Sequence, residues 1–157
     1  PTDSCIEPLE LSNLIEHGDA TIVDLSLSRA FRKGHIPGAW FAIRSRLSRA
    51  FANIAFKGST LVLTSEDGIL AGLAVTEARS LTDRSVKWLA GGNAAWKAAG
   101  NALEAGEDRL ADAPVDVWLK PYERPIATSS AMSEYLSWEV DLVERIKRDG
   151  TCNFHIR

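Results

Sequence analysis

The chain has 157 residues, 45% of them apolar and 25% charged, with a net charge of -3 at pH 7. Those proportions describe a folding globular chain with a sizeable core and argue against wholesale disorder. The slight acidity gives no general attraction to nucleic acid or to an anionic membrane surface, and no run of about 18 apolar residues is present to span a bilayer.

The chain starts at Pro1 without a methionine and without a charged-then-apolar signal segment, which fits a processed or excised piece of something longer. Cys5 and Cys152 sit near opposite ends and form no C-x-x-C pair. Two such thiols do not make a disulfide scaffold, so a reducing cytoplasm is the expected compartment. His17, His35 and His155 match no zinc-ligand spacing, and neither a metal nor a cofactor is expected.

Glu7-Pro8-Leu9-Glu10 has the signature of a helix start, with Leu11, Leu14 and Ile15 as its buried stripe and Gly18-Asp19 as its end. Thr21–Leu25 reads as a buried strand with Asp24 near its carboxyl end. Ser28–Lys33 is a short polar helix anchored by Ala30 and Phe31, followed by Gly34–Ala39 and a strand at Trp40–Ile43. Arg44–Phe51 is another short helix, with Leu47 and Phe51 inward and Arg44, Arg46 and Arg49 outward.

The organising stretch comes next. Leu61, Val62 and Leu63 form an apolar run of the length of a strand buried on both faces. From Leu70 the spacing turns helical, through Leu73, Ala74, Ala78 and Leu81. The tight loop between them, Ser65-Glu66-Asp67-Gly68-Ile69, runs from a strand's carboxyl end into a helix amino end. In an open α/β sheet, backbone N–H groups and the helix dipole converge at such a place.

Ser85–Leu89 is a further strand, broken by Ala90-Gly91-Gly92-Asn93, and Ala94–Ala99 is a short helix closed by Gly100. Strands alternating with helices argue for a mostly parallel sheet of about five strands, covered on both faces. Asn101–Pro125 carries three prolines and reads as an extended arm. Ser129 and Ser130 are expected to cap a long amphipathic helix to about Arg148, with Met132, Tyr135, Leu136, Val140, Val143 and Ile146 along one face. The expected organisation is a domain over residues 1–108, the arm over 109–128, and a terminal helix and tail over 129–157 that pack on the same domain.

Three separated pieces carry a resemblance. Ile22-Val23-Asp24 followed by Gly34-His35-Ile36-Pro37-Gly38-Ala39 resembles the amino-terminal signature of the rhodanese (thiosulfate sulfurtransferase) family. Leu89-Ala90-Gly91-Gly92, then Trp96, then Ala99-Gly100, resembles its carboxyl-terminal signature, and the loop at Ser65 lies between them. The likeness covers about two-thirds of the chain, and the ordered trio is more specific than any one short motif. It implies a rhodanese-like three-layer α/β sandwich with an added carboxyl-terminal helix. It also implies the terminal unit of a bacterial protein built from several such domains. Expected partners are then other rhodanese domains of one parent chain, or a second copy, and a small sulfur-containing anion.

Active members of that family open the loop with a cysteine that accepts sulfur as a persulfide. Matching Gly68 to the family's loop glycine puts Ser65 at the cysteine position and Leu70 where many members carry arginine. The resemblance gives Asp24, His35 and Arg44 supporting roles around the loop. A thiol at a helix amino end is pushed toward the thiolate, whereas a serine hydroxyl is far more basic and holds no persulfide. Glu66 and Asp67 add negative charge: one carboxylate about 4 Å from an anion costs roughly 1 kcal/mol in water and about 4 at surface-like permittivity. The expectation is an inactive structural or regulatory domain of a larger sulfurtransferase, whose loop carboxylates cap the loop's own amides. The alternatives are a sulfurtransferase that borrows Cys5 or Cys152, a module that uses the loop to bind a partner or a small ligand such as a cation, and, weakest, a serine hydrolase built on Ser65.

Overall fold

The computed structural model describes residues 4–120 and 128–150. The chain divides into two compact units, Pro1–Val117 and Trp118–Arg157. In the first, five strands form one sheet: β1 (Cys5–Ile6), β2 (Ala20–Asp24), β3 (Trp40–Phe41), β4 (Thr60–Thr64) and β5 (Ser85–Leu89), in the order β1-β5-β4-β2-β3. Every pairing is parallel, with Asp24 opposite Thr64 and Leu63 opposite Trp88. The helices are α1 (Pro8–Glu16), α2 (Ser28–Lys33), α3 (Leu47–Phe51, entered through a 3₁₀ turn at Arg44–Arg46), α4 (Ile69–Arg79) and α5 (Gly92–Ala98).

Alternation along β4 sorts these helices into two layers. Leu61 and Leu63 face a core completed by Leu47, Phe51, Ala71, Ala74 and Val75, so α3 and α4 cover that side. Val62 faces the opposite core, with Leu11, Phe31, Ile36 and Trp96, so α1, α2 and α5 cover the other. This is the three-layer arrangement expected, and β4 at its centre is buried along its whole length.

Several details depart from the sequence reading. The strand expected over Trp40–Ile43 is confined to Trp40–Phe41, and the short pairing of Cys5–Ile6 with β5 was not foreseen. Both are two-residue elements, too brief to show a periodicity. On α4 the buried residues are Ala71, Ala74, Val75 and Ala78, whereas Leu73 is 62% exposed and Leu81 lies at the surface. Small residues let α4 sit close to the sheet. An added Cβ at Gly72 would already lie 3.4 Å from the Trp88 ring, so a leucine stripe would hold the helix away. The first unit also runs past residue 108: Phe41 donates its N–H to Arg109 O and accepts from Ala111 N, which adds a bridge at the β3 edge.

The second unit contains α6 (Thr128–Asp149). It begins at Thr128, ahead of the serines expected to cap it, and carries Lys147 and Arg148 in its last turn, where the dipole favours them. Residues 121–127 of the arm and the tail from Thr151 lie outside the described residues, as do Cys152 and His155. No helix among the described residues is long and apolar enough to cross a membrane.

Candidate functional site

The loop between β4 and α4 is shaped by what lies beneath it. Gly68 takes a left-handed conformation (φ 80°) and N-caps α4, and a Cβ there would fall 2.6 Å from Leu89 O. Gly92 (φ 57°) faces it: a Cβ on Gly92 would come within 2.0 Å of Ser65 O and 2.4 Å of Gly68 N. Two glycines are thus needed where two loops meet backbone to backbone. The start of α5 then donates to the loop carbonyls, Asn93 N to Ser65 O at 2.9 Å and Ala94 N to Glu66 O at 3.0 Å.

A buried polar network fastens the loop from below. Asp24 is wholly buried at the end of β2; one carboxylate oxygen accepts from Ser26 N at 2.8 Å and the other from Asn93 Nδ2 at 2.7 Å. Asn93 Oδ1 accepts from Thr64 Oγ1 at 2.9 Å. Asp24 therefore reaches the loop through Asn93. The sequence reading passed over Asn93 and Thr64. The only available signal was a polar residue directly after Gly91-Gly92, which looked like a strand breaker.

Ser65 is the first residue after β4 and is 3% exposed; its Oγ accepts a long bond from Ala71 N at 3.4 Å. Neither a histidine nor a carboxylate hydrogen bonds that hydroxyl among the described residues, so nothing there acts as a general base for it. Asp67 turns back to accept from Ile69 N at 3.0 Å, the self-capping expected of it, while Glu66 is exposed with no such bond. Beside the loop is a hollow of about 330 Å³, bounded by Leu25, Ser26, Leu27, Ser65 and Leu70, with Glu66 and Asp67 as its charged residues.

Leu70 also borders a second cavity of about 490 Å³, where Arg44 and Glu77 meet. The Arg44 guanidinium lies 3.5 Å from Glu77 and donates to Leu73 O at 3.2 Å, so it is engaged along α4 rather than with the loop.

His35 is elsewhere. It stacks on Phe31 with ring centroids 3.7 Å apart, places Nδ1 2.7 Å from Phe31 O and Nε2 3.2 Å from Glu104, and exchanges both backbone bonds with Glu104. It pins the segment after α5 to the turn before β3, and none of these partners belongs to the loop. Cys5 lies on the edge strand β1 and is not among the residues lining the hollow. Burial, and then the neighbouring Glu7 carboxylate, push its thiol above the ordinary value. At neutral pH that leaves less of the nucleophilic thiolate.

The profile of the rhodanese-like domain family matches residues 7–99. The chain belongs to the rhodanese-like domain family. Among solved structures, a thiosulfate sulfurtransferase from Pseudomonas aeruginosa superposes with a TM-score of 0.88 at 35% identity, over 98% of this chain and 29% of that one. The chain thus spans less than a third of that relative's length. A rhodanese-like domain from an Anabaena protein matches at 25% identity and TM-score 0.57, over 74% of this chain and 89% of its own. The 3-mercaptopyruvate sulfotransferase SseA of Escherichia coli, at 20% identity and TM-score 0.54 over 68% of this chain and 53% of its own, shares the fold. No curated protein sequence matches the chain. On this fold the strand-loop-helix at Ser65 stands at the carboxyl ends of the parallel strands, where open α/β sheets receive their ligands.

Proposed function

We propose that this rhodanese-like domain does not itself transfer sulfur and serves as a structural or regulatory part of a larger thiosulfate or sulfane-sulfur transferase. A bacterial, cytoplasmic protein in which companion domains keep the reactive cysteine is part of this reading. One observation carries it: the residue at the head of the loop, buried and facing the amino end of α4, is Ser65. Its oxygen cannot store sulfur as a persulfide, and no base adjoins it to make it a nucleophile. Two further features agree. Glu66 and Asp67 make the hollow unfavourable for thiosulfate, and the nearest arginine at the neighbouring cavity, Arg44, is held by Glu77. The scaffold beneath the loop is intact, with Asp24, Asn93 and the two glycines all in place.

Borrowing another thiol is disfavoured for Cys5, which is an edge-strand residue with a raised pKa. The direct test incubates the chain with thiosulfate and cyanide, then measures thiocyanate and the mass of the intact protein. The unaltered chain is expected to release no thiocyanate above the protein-free rate and to gain no sulfur. Ser65→Cys is expected to take up one sulfur atom at residue 65. Removing the neighbouring charges (Glu66→Gln with Asp67→Asn) should increase that loading. Turnover by the unaltered chain, or sulfur mapped to Cys5 or Cys152, overturns the reading.

A further inference from the structure

The sheet carries a second concave site, at the end opposite the Ser65 loop. β2 starts at Ala20, but β3 joins it only from Val23, where Trp40 lies opposite. The notch left beside Ala20–Ile22 is a hollow of about 420 Å³ at the amino ends of these strands, walled by Ile15, Ile22, Pro37 and Trp40. That volume lies within the range of small-molecule sites, and no residue of the hollow beside Ser65 borders it.

Its charge has one sign. The chain holds more acids than bases, 21 against 18. Yet the charged residues bordering the hollow are Lys57 and Arg109, with no carboxylate among them. Both are anchored at the backbone, on either side of the notch. The buried Thr21 hydroxyl accepts from Lys57 N at 2.7 Å and donates to Lys57 O at 2.8 Å, and Arg109 O accepts from Phe41 N at 2.8 Å. The acids beside these residues are engaged. Asp19 accepts from Ser59, while Glu104 Oε1 accepts from Gly38 N at 2.8 Å and lies 3.2 Å from His35 and 3.6 Å from Arg109. Among the described residues Lys57 Nζ has no hydrogen bond or ion pair, and the Trp40 indole N–H has no acceptor and is open to solvent. Two positive charges and three donor groups match a phosphate monoester, which carries about -1.5 to -2 charge and three strong acceptor oxygens. The apolar wall suits a flat ring on the same molecule. We propose that this notch binds an aromatic phosphate monoester, with its phosphate between Lys57 and Arg109 and its ring against Ile15, Pro37 and Trp40.

Titration calorimetry of the 157-residue chain at low ionic strength tests this. The probes are phenyl phosphate and adenosine monophosphate, with adenosine and inorganic phosphate as controls. One or both esters should bind once per chain with Kd below about 1 mM, and each control at least about tenfold more weakly. Lys57→Ala and Arg109→Ala should each weaken the ester at least about tenfold, the loss that goes with one charge-assisted hydrogen bond. Ala55→Trp, at an exposed residue of the wall, should abolish binding by filling the hollow while both cations remain. Lys97→Ala, which removes a cation on α5, should leave binding unchanged, and all four variants should keep the circular dichroism of the unaltered chain. Inorganic phosphate bound as tightly as the esters overturns the proposal, because a merely basic surface would do the same. So does ester binding indifferent to Lys57→Ala and Arg109→Ala, or the absence of binding by either ester below about 1 mM. None of these outcomes bears on sulfur transfer, which is read at residue 65.

Discussion

Asn93 ties its own helix α5 to two other chain segments, the ends of β2 and β4. Its backbone N–H binds Ser65 O, its side-chain Oδ1 accepts from the Thr64 hydroxyl, and its side-chain Nδ2 donates to the buried Asp24 carboxylate. Removing that amide leaves a carboxylate oxygen without its donor in the interior, and hydrogen bonds to charged groups are the costly ones to lose. Asn93→Ala is therefore expected to lower stability by about 2–4 kcal/mol in urea unfolding. A loss under about 1 kcal/mol would mean that water takes over the site. The residues flanking this network were readable from the sequence: Asp24 from its position at a strand end, Ser65 and Gly68 from the switch in periodicity. Asn93 was not, because its partners lie 29 and 69 positions away and no local pattern reports them. His35 shows the converse. A signature placed it near the loop, but stacking on Phe31 and bonding to Glu104 fix it on another part of the fold.

At the scale of elements, strand register is set where β2 and β4 begin. The Asp19 carboxylate accepts from Ser59 N at 2.6 Å and from Ser59 Oγ at 3.1 Å, and Asp19 O accepts from Thr60 N at 3.2 Å. The backbone bond from Ser59, followed by its hydroxyl, holds the Asp19 carboxyl below the usual aspartate range. In acid the unfolded chain then binds this proton first, so stability rises with pH in that region. The contribution is complete above the ordinary aspartate value of about 3.9 and disappears as pH falls through the lower folded value. Thermal unfolding of Asp19→Asn beside the unaltered chain checks it: the gap in midpoint should be constant near neutrality and should close below about pH 4. A gap that persists in strong acid would assign the effect to geometry rather than charge. The long, periodic elements β2, β4, β5, α1 and α6 were legible because burial imposes a period on their sequences. The α4 stripe misled because leucine marks burial less reliably than alanine where a helix packs tightly on a sheet.

The whole molecule consists of two units with different sources of stability. Apart from Ala131, every buried apolar side chain among the described residues lies between Ile6 and Ala111, and both core clusters lie within Pro1–Val117. Sequence composition did not mark this boundary, because Val115, Asp116 and Val117 look no different from the arm that follows. What retains them is tertiary: Asp116 accepts from Ser28 N at 2.8 Å, and the buried Asp112 lies within 4 Å of Arg46 and Arg49. Among the described residues the second unit has no comparable interior, and in proteins most helical stability comes from tertiary packing rather than from propensity. A chain ending at Val117 is therefore expected to fold by itself. It should unfold in one cooperative step and keep the near-ultraviolet circular dichroism of its packed tryptophans. Loss of the near-ultraviolet signal, or binding of a hydrophobic dye, would show that the first unit needs the second to complete its core.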